Sequence, residues 1–297
     1  MTQNGDTTYS LLDSGNGRKL ERFGKFVVDR PAAAAVWRPK LPDSEWAKAD
    51  ARFVREGANE WSKKRLPNTW VTRLDGLSFL TKPTDFGHLG LFPEHLAAWR
   101  WMDCCIRQAK RDVNVLNLFA YTGAASLAAA RAGATVTNLD AARRITDEAR
   151  ENAAKNKLED RPIRWIVDDC LKFLRREVRR ERHYDGFIMD PPNYGRGAKG
   201  EVFKIEENLT EILDLCRQLF SPQPLFMILT CHANGYTPLI LQHLVDETVA
   251  PLRMAGTSYS AEMCLEGGAG VFPLPIGAAA VWHSQDVNIP HPLHNHD

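Results

Sequence analysis

VNVLNLFAYTG, residues 113–123, leads into an alternating apolar run that ends at Asp140, and these two segments decide the fold. Val113, Val115, Leu116, Leu118 and Phe119 describe a strand buried on both faces, as in a parallel sheet. The chain then passes through a small-residue turn into an Ala-rich helix over 124–132. A second strand over 134–139 delivers the carboxylate of Asp140, seventeen residues after Gly123. A turn glycine lets backbone approach a ligand, and an acidic group at the next strand end accepts hydrogen bonds from ribose hydroxyls. The pattern points to a nucleoside cofactor. Its rival is an ordinary strand–turn–helix of an α/β protein, because short motifs recur by chance.

The turn also says which cofactor. A dinucleotide site takes three glycines in G-x-G-x-x-G, so that a pyrophosphate can lie against peptide N–H groups at the helix N-terminus. The window here is F-A-Y-T-G-A-A-S, with the single Gly123 and a bulky Tyr121 where a diphosphate needs room. S-adenosylmethionine, which has no phosphate and carries a zwitterionic tail, remains compatible.

Composition permits one full α/β domain and a smaller partner: 297 residues, 44 % hydrophobic and 25 % charged. No run of about 18 apolar residues is present, and MTQNGDTTYS lacks a basic and apolar leader, so a cytoplasmic protein away from membranes is expected. Six scattered cysteines without a C-x-x-C pair indicate free thiols and no metal site. The net charge of +1 is low for a nucleic-acid enzyme, which needs clustered cations. Lys172, Arg175, Arg176, Arg179, Arg180 and Arg182 form one basic segment, and Lys63, Lys64 and Arg65 a smaller one. A solvated helix face flanked by Glu177 and Glu181 is the plainer account of the first.

Residues 1–90 contain short alternating segments, 20–28 and 70–80, broken by G-N-G, R-P, L-P and K-P. This predicts a small α+β region of hairpins with one helix over 45–57. From about residue 91 to 285 a helix leads into regular alternation: strands over 113–119, 134–139, 163–167, 184–189 and 224–230, with helices over 124–132, 143–156, 170–181 and 205–220. Residues 237–284 predict a helix and two strands turning at G-G-A-G, and 286–297 a disordered tail. The fold class is α/β, a Rossmann-like, mostly parallel doubly wound sheet with ligands outside the strand carboxyl ends.

Four signals fall at consecutive strand ends: the 117–123 turn, Asp140, Asp168-Asp169, and D-P-P-N-Y over 190–194. A carboxylate of the Asp168-Asp169 pair can accept from an adenine amino group. The combination predicts an S-adenosylmethionine-dependent methyltransferase. Pro191 and Pro192 force extended backbone and withdraw amide donors, so carbonyls face a planar base. Asn193 stands where amine-methylating enzymes of the N/D-P-P-Y type carry an aromatic, and Tyr194 follows one place later, which counts modestly against exocyclic-amine methylation. The last strand ends in I-L-T-C-H. Methylation of cytosine C5 needs a thiolate to add to C6 and a carboxylate near N3, roles for which Cys231 and Asp190 are candidates. Against this, free cysteine is often simply a buried hydrophobe.

Together G-H-L-G-L-F-P-E-H (87–95), V-L-N-L-F-A-Y-T-G, V-D-D-C-L-K-F-L, M-D-P-P-N-Y and L-T-C-H resemble the bacterial large-subunit rRNA cytosine-5 methyltransferase family, the RlmI-like group, over about residues 70–235. The resemblance implies cofactor contacts from Phe92, Glu94, His95, Asn117, Phe119, Tyr121, Thr122, Gly123, Asp140, Asp169 and Asp190. It also implies a base held by Asp190, Pro191, Pro192, Asn193 and Tyr194, Cys231 as nucleophile, and ribosomal RNA as substrate. Two departures stand out. The family's K-T-G-F-Y/F-L-D-Q segment is replaced by H-L-G-L-F-P-E-H, and about 110 residues precede the first catalytic strand, too few for the family's RNA-binding PUA domain as well. A shorter branch of the family is expected. The alternatives are a methyltransferase acting on a guanine ring nitrogen, a protein or a small molecule without a covalent intermediate, and a non-catalytic nucleoside-binding module.

Overall fold

The computed structural model describes residues 8–55, 59–62, 65–196 and 200–285; Lys63, Lys64 and the expected tail over 286–297 lie outside them. Two compact units emerge, Met1–Leu96 with Met263–Ile276, and Ala97–Glu262 with Gly277–Asp297. The division expected at residue 90 differs from this one, because the first unit also takes 263–276.

In the first unit, β1 (Tyr9–Gly15), β2 (Arg18–Phe23) and β3 (Phe26–Pro31) form an antiparallel meander. Asn16 and Gly17, with φ of 49° and 74°, supply the left-handed pair that a two-residue hairpin turn requires. A single-turn helix α1 (Asp43–Trp46) precedes β4 (Ala51–Val54), which pairs parallel with β3 and antiparallel with β5 (Glu60–Ser62). The helix expected over 45–57 therefore stops after four residues. Ala51 and Phe53 are buried while Arg52 is exposed, a period of two that a strand satisfies. A second hairpin joins β6 (Trp70–Leu74) to β7 (Leu77–Thr81).

Charged groups are buried in the meander. Arg30 makes a two-pronged contact with Glu21, Nε to Oε2 at 2.8 Å and Nη2 to Oε1 at 2.9 Å, and its Nη1 donates to the Gly87 carbonyl at 3.0 Å. Tyr9 donates its hydroxyl to Glu21 at 3.1 Å. Burial, and then the Glu21 charge, push that phenol well above its usual range, while burial lowers the Lys19 ammonium. Pairing is what makes such burial tolerable.

The second unit opens with α2 (Leu96–Ala109), whose buried positions include Ala98, Trp99, Met102 and Ile106. Then follow β8 (Asn114–Leu118), α3 (Ala124–Ala132), β9 (Thr135–Asp140), α4 (Arg143–Lys155), β10 (Ile163–Val167), α5 (Cys170–Arg179) and β11 (Gly186–Met189). A small hairpin, β12 (Tyr194–Arg196) and β13 (Val202–Lys204), was not foreseen. It precedes α6 (Ile205–Leu219), β14 (Phe226–Cys231), α7 (Pro238–Val249), β15 (Gly256–Leu265) and β16 (Leu274–Ser284).

The sheet order is β10-β9-β8-β11-β14-β16-β15. The first five strands pair in parallel, and β16 runs antiparallel to β14. This is the Rossmann-like, mostly parallel sheet expected. Its order reverses between β8 and β11, and ligands bind outside the carboxyl ends at such a switch point. Helices α5, α6 and α7 cover one face with Phe173, Leu213, Cys216, Leu241 and Val245. Among the described residues no helix is long and apolar enough to cross a membrane.

Candidate functional site

The turn after β8 is held in an expensive conformation. Phe119, Tyr121 and Gly123 have φ of 57°, 49° and 82°, and a left-handed non-glycine residue costs about 1–2 kcal/mol. Neighbouring bonds over-determine this shape. Ala120 N donates to Leu139 O (3.0 Å), Gly123 N to Ala120 O (2.9 Å), and the buried Asn152 side chain to Thr122 O (3.0 Å). Glycine is required at 123, since a Cβ there would stand 2.8 Å from that of Ala149. Asn117 lies buried beneath the turn, donating to Ser126 Oγ (2.9 Å), which donates to Asn138 Oδ1 (2.8 Å). The geometry gives Asn117 a supporting role for the turn.

Asp140 ends β9 beside this turn. Its Oδ2 accepts from Tyr121 N and its Oδ1 from Ala142 N, both at 2.9 Å. An ionised carboxylate has about four lone-pair positions, so with the backbone amide of Ala141 as a third donor about one remains open. A charged acceptor at a strand end beside the turn suits a ribose hydroxyl. Burial raises the Asp140 carboxyl above its usual range, opposed by the backbone donors of Ala142, Tyr121 and Ala141.

At the end of β10 the two aspartates have separate tasks. Asp169 is the N-cap of α5, its Oδ1 accepting from Lys172 N at 2.9 Å, which commits one oxygen of the expected adenine partner. Asp168 pairs with Arg176 at 2.7 Å. The basic segment is engaged in further pairs: Arg175 with Glu211, Arg180 with Glu177, and Lys172 with Glu201. Four of the six cations, Lys172, Arg175, Arg176 and Arg180, thus have carboxylate partners.

Asp190 follows β11. Parallel register sets Met189 beside Leu229, so Asp190 meets Thr230, whose hydroxyl donates to Asp190 Oδ1 at 2.7 Å. His232 Nε2 lies 3.8 Å from the same oxygen. His232 carried no role in the sequence reading; its signal was the residue directly after T-C. Pro191 is buried, whereas Pro192, Asn193 and Tyr194 are exposed and Tyr194 opens β12. The returning strand β13 sets Phe203 against Phe119, with ring centroids 5.1 Å apart. The D-P-P-N-Y segment and the cofactor turn are thereby linked through two aromatic rings.

Cys231 differs from its neighbour. Strand alternation turns it away from Thr230 into the hydrophobic core, 1 % exposed, where Sγ accepts from Ala233 N at 3.3 Å. Burial, with a further contribution from the Asp190 charge, raises the thiol above its usual range. An attacking thiolate needs the opposite shift. The expected nucleophile thus stands at the strand end, as the sequence placed it, with its side chain among the hydrophobic core cluster. Phe92, Glu94 and His95 belong to the first unit, on the 3-10 turn Pro93–His95 and the residue before it.

The model of a family described as S-adenosylmethionine-dependent methyltransferase matches residues 21–250. A SAM-dependent methyltransferase of Agrobacterium tumefaciens superposes with a TM-score of 0.87 at 38 % identity, covering 95 % of this chain and 97 % of the other. A Streptococcus mutans structure assigned to the same class gives 0.72 at 18 % identity, over 95 % of this chain and 76 % of that one, a likeness of fold alone. Curated relatives include the ribosomal RNA large subunit methyltransferase K/L of Pseudoalteromonas atlantica (36 % identity over 175 residues) and of Syntrophotalea carbinolica (31 % over 174). Each match takes in 58 % of this chain, which spans under a quarter of those relatives, 22 % and 23 %. With a Rossmann-like sheet and a family model matched over residues 21–250, the chain belongs to the S-adenosylmethionine-dependent methyltransferase family, and S-adenosylmethionine is its cofactor.

Proposed function

We propose that this enzyme methylates a nucleobase of ribosomal RNA at a ring nitrogen, without a covalent enzyme–base adduct. The names of the K/L relatives support the substrate class. The observation that carries the chemistry is the contrast at the end of β14: Thr230 faces the Asp190 carboxylate, and Cys231 faces the core. A ring nitrogen already owns the lone pair that attacks a methyl group. Cytosine C5 does not, and would need the thiolate that burial suppresses here.

When bound, S-adenosylmethionine supplies an electrophilic methyl on a sulfonium. Asp140 holds the ribose, and the 119–123 turn gives the cofactor a fixed wall. Asp190, kept in one rotamer by Thr230, accepts a hydrogen bond from the base edge and offsets the positive charge that the base gains as the new N–C bond forms. Pro191 and Pro192 keep the following backbone extended, and Tyr194, 51 % exposed, offers a ring for stacking.

The competing reading is C5 methylation through Cys231, favoured by the residue's place next to Thr230. Labelled methyl transfer to ribosomal RNA from a strain lacking the enzyme, followed by nucleoside analysis, should yield an N-methylated base. RNA containing 5-fluorocytosine should give no denaturation-stable adduct. An adduct that disappears in Cys231→Ala would replace this proposal with the covalent one, and absence of transfer to any ribosomal RNA would remove the substrate class.

A further inference from the structure

The first unit holds an irregular loop over 32–42 with more fixings than a connection needs. Asp13, 1 % exposed, spends its carboxylate on it: Oδ2 accepts from Lys40 N (3.0 Å), Leu41 N (2.8 Å) and the Trp46 indole (3.1 Å). The Trp37 indole donates to Ser14 O at 2.9 Å, and Asn16 N donates to Trp37 O at 2.8 Å. Gly15 lies so close that a Cβ would come within 2.4 Å of Pro39 N. Burying a carboxylate is costly unless donors surround it, and the donors that offset the cost here pin the end of the loop in one shape.

What the loop presents is exposed and mixed in chemistry. Arg38 and Lys40 face solvent, and Val36 is 83 % exposed. Phe272, at the tip of the β15–β16 hairpin in the same unit, is 53 % exposed. Trp37 meets Phe272 edge-on at 6.1 Å, and Lys40 Nζ stands 3.8 Å from the Phe272 centroid while donating to Gly270 O. The ring is thus held upright by two neighbours. An aromatic platform rigidly set among cations is the arrangement that takes unpaired nucleotides, stacking a base and contacting the backbone phosphates.

We propose that Arg38, Lys40 and Phe272, fixed by the loop around Trp37, form a docking surface for unpaired RNA. A base stacks on the face of Phe272 that Lys40 leaves open, and Arg38 and Lys40 engage the flanking phosphates. The inference rests on the RNA reading of the active site and gives that substrate a place on the first unit.

The test is fluorescence anisotropy of the full chain with a labelled, mixed-sequence single-stranded RNA of about twelve nucleotides. Phe272→Ala should weaken binding roughly 10-fold and Phe272→Trp should retain it. Arg38→Gln should make the slope of log affinity against log salt shallower by about 0.7. S-adenosylmethionine affinity and melting temperature should not move in either Phe272→Trp or Arg38→Gln, which keeps the test independent of folding. Tight binding by the wild type with unchanged affinity and slope in the variants overturns the surface and leaves the RNA reading standing. No binding by the wild type overturns both.

Discussion

The carboxyl ends of β8 and β14 lie at the same edge of one sheet and are built in opposite ways. After β8 the chain stores strain at Phe119, Tyr121 and Gly123 and surrounds it with polar bonds, down to the buried Asn117–Ser126–Asn138 chain. At the end of β14, Cys231 belongs to the hydrophobic core cluster, with its thiol raised by burial. A strand end is therefore a place where chemistry can occur, and the face a side chain takes decides whether it does. The first end is fixed by backbone strain and buried polar bonds, the second by apolar packing.

That contrast can be broken first at Asp140. Asp140→Ala removes a charged acceptor from the ribose, at about 1.5–3 kcal/mol, and takes from the turn the acceptor for the Tyr121 and Ala142 amides, at about 1–3 kcal/mol more. S-adenosylmethionine affinity measured by calorimetry should fall roughly 10²–10³-fold, and a change below about threefold would mean that the ribose lies elsewhere. Next in size, Gly123→Ala forces a side chain into φ of 82° against Ala149. Thermal unfolding should report a loss of about 2–3 kcal/mol; an unchanged melting temperature would show that the turn is not strained.

The smallest effect is in the pH dependence of cofactor binding. Burial raises the Asp140 carboxyl above 3.8 in the free protein, so the group favours folding below its unfolded pKa, and that contribution is lost as pH rises through the folded one. Hydroxyl donors favour the ionised form. Affinity should thus be full near neutrality and decline on acidification, starting above the range of an ordinary aspartate and steepening toward tenfold per pH unit. Affinity that stayed flat down to about pH 4 would contradict this.

The parallel sheet was legible because each strand is a short apolar run and each helix starts where the apolar period changes, as at Ala124 and Cys170. For the candidate site, the sequence named strand-end positions, and the side-chain partners at those positions came from other elements. Asp169 was expected at an adenine, and it caps α5 because the backbone amide three residues on points at it. Cys231 was placed correctly on its strand, but a single T-C-H triplet does not say which of two faces the core claims. The hairpin of β12 and β13 escaped notice, since its strands have three residues each and lack an alternating pattern. Nor could sequence show that Arg175 and Arg176 are paired, because Glu211 and Asp168 come from other elements. In the first unit G-N-G marked a hairpin turn, whereas the buried Glu21–Arg30 pair looks like ordinary surface charge until the strands are aligned.

The most direct test sets the two strand-end residues against each other in single-turnover methyl transfer to ribosomal RNA at saturating S-adenosylmethionine. Asp190→Ala should lose roughly 10²–10³ in rate, as removal of a charge-stabilising group does, while Cys231→Ala keeps a rate within about threefold of wild type and loses only about 1 kcal/mol of stability. A Cys231→Ala enzyme that binds the cofactor yet transfers nothing, beside an active Asp190→Ala, would contradict the account.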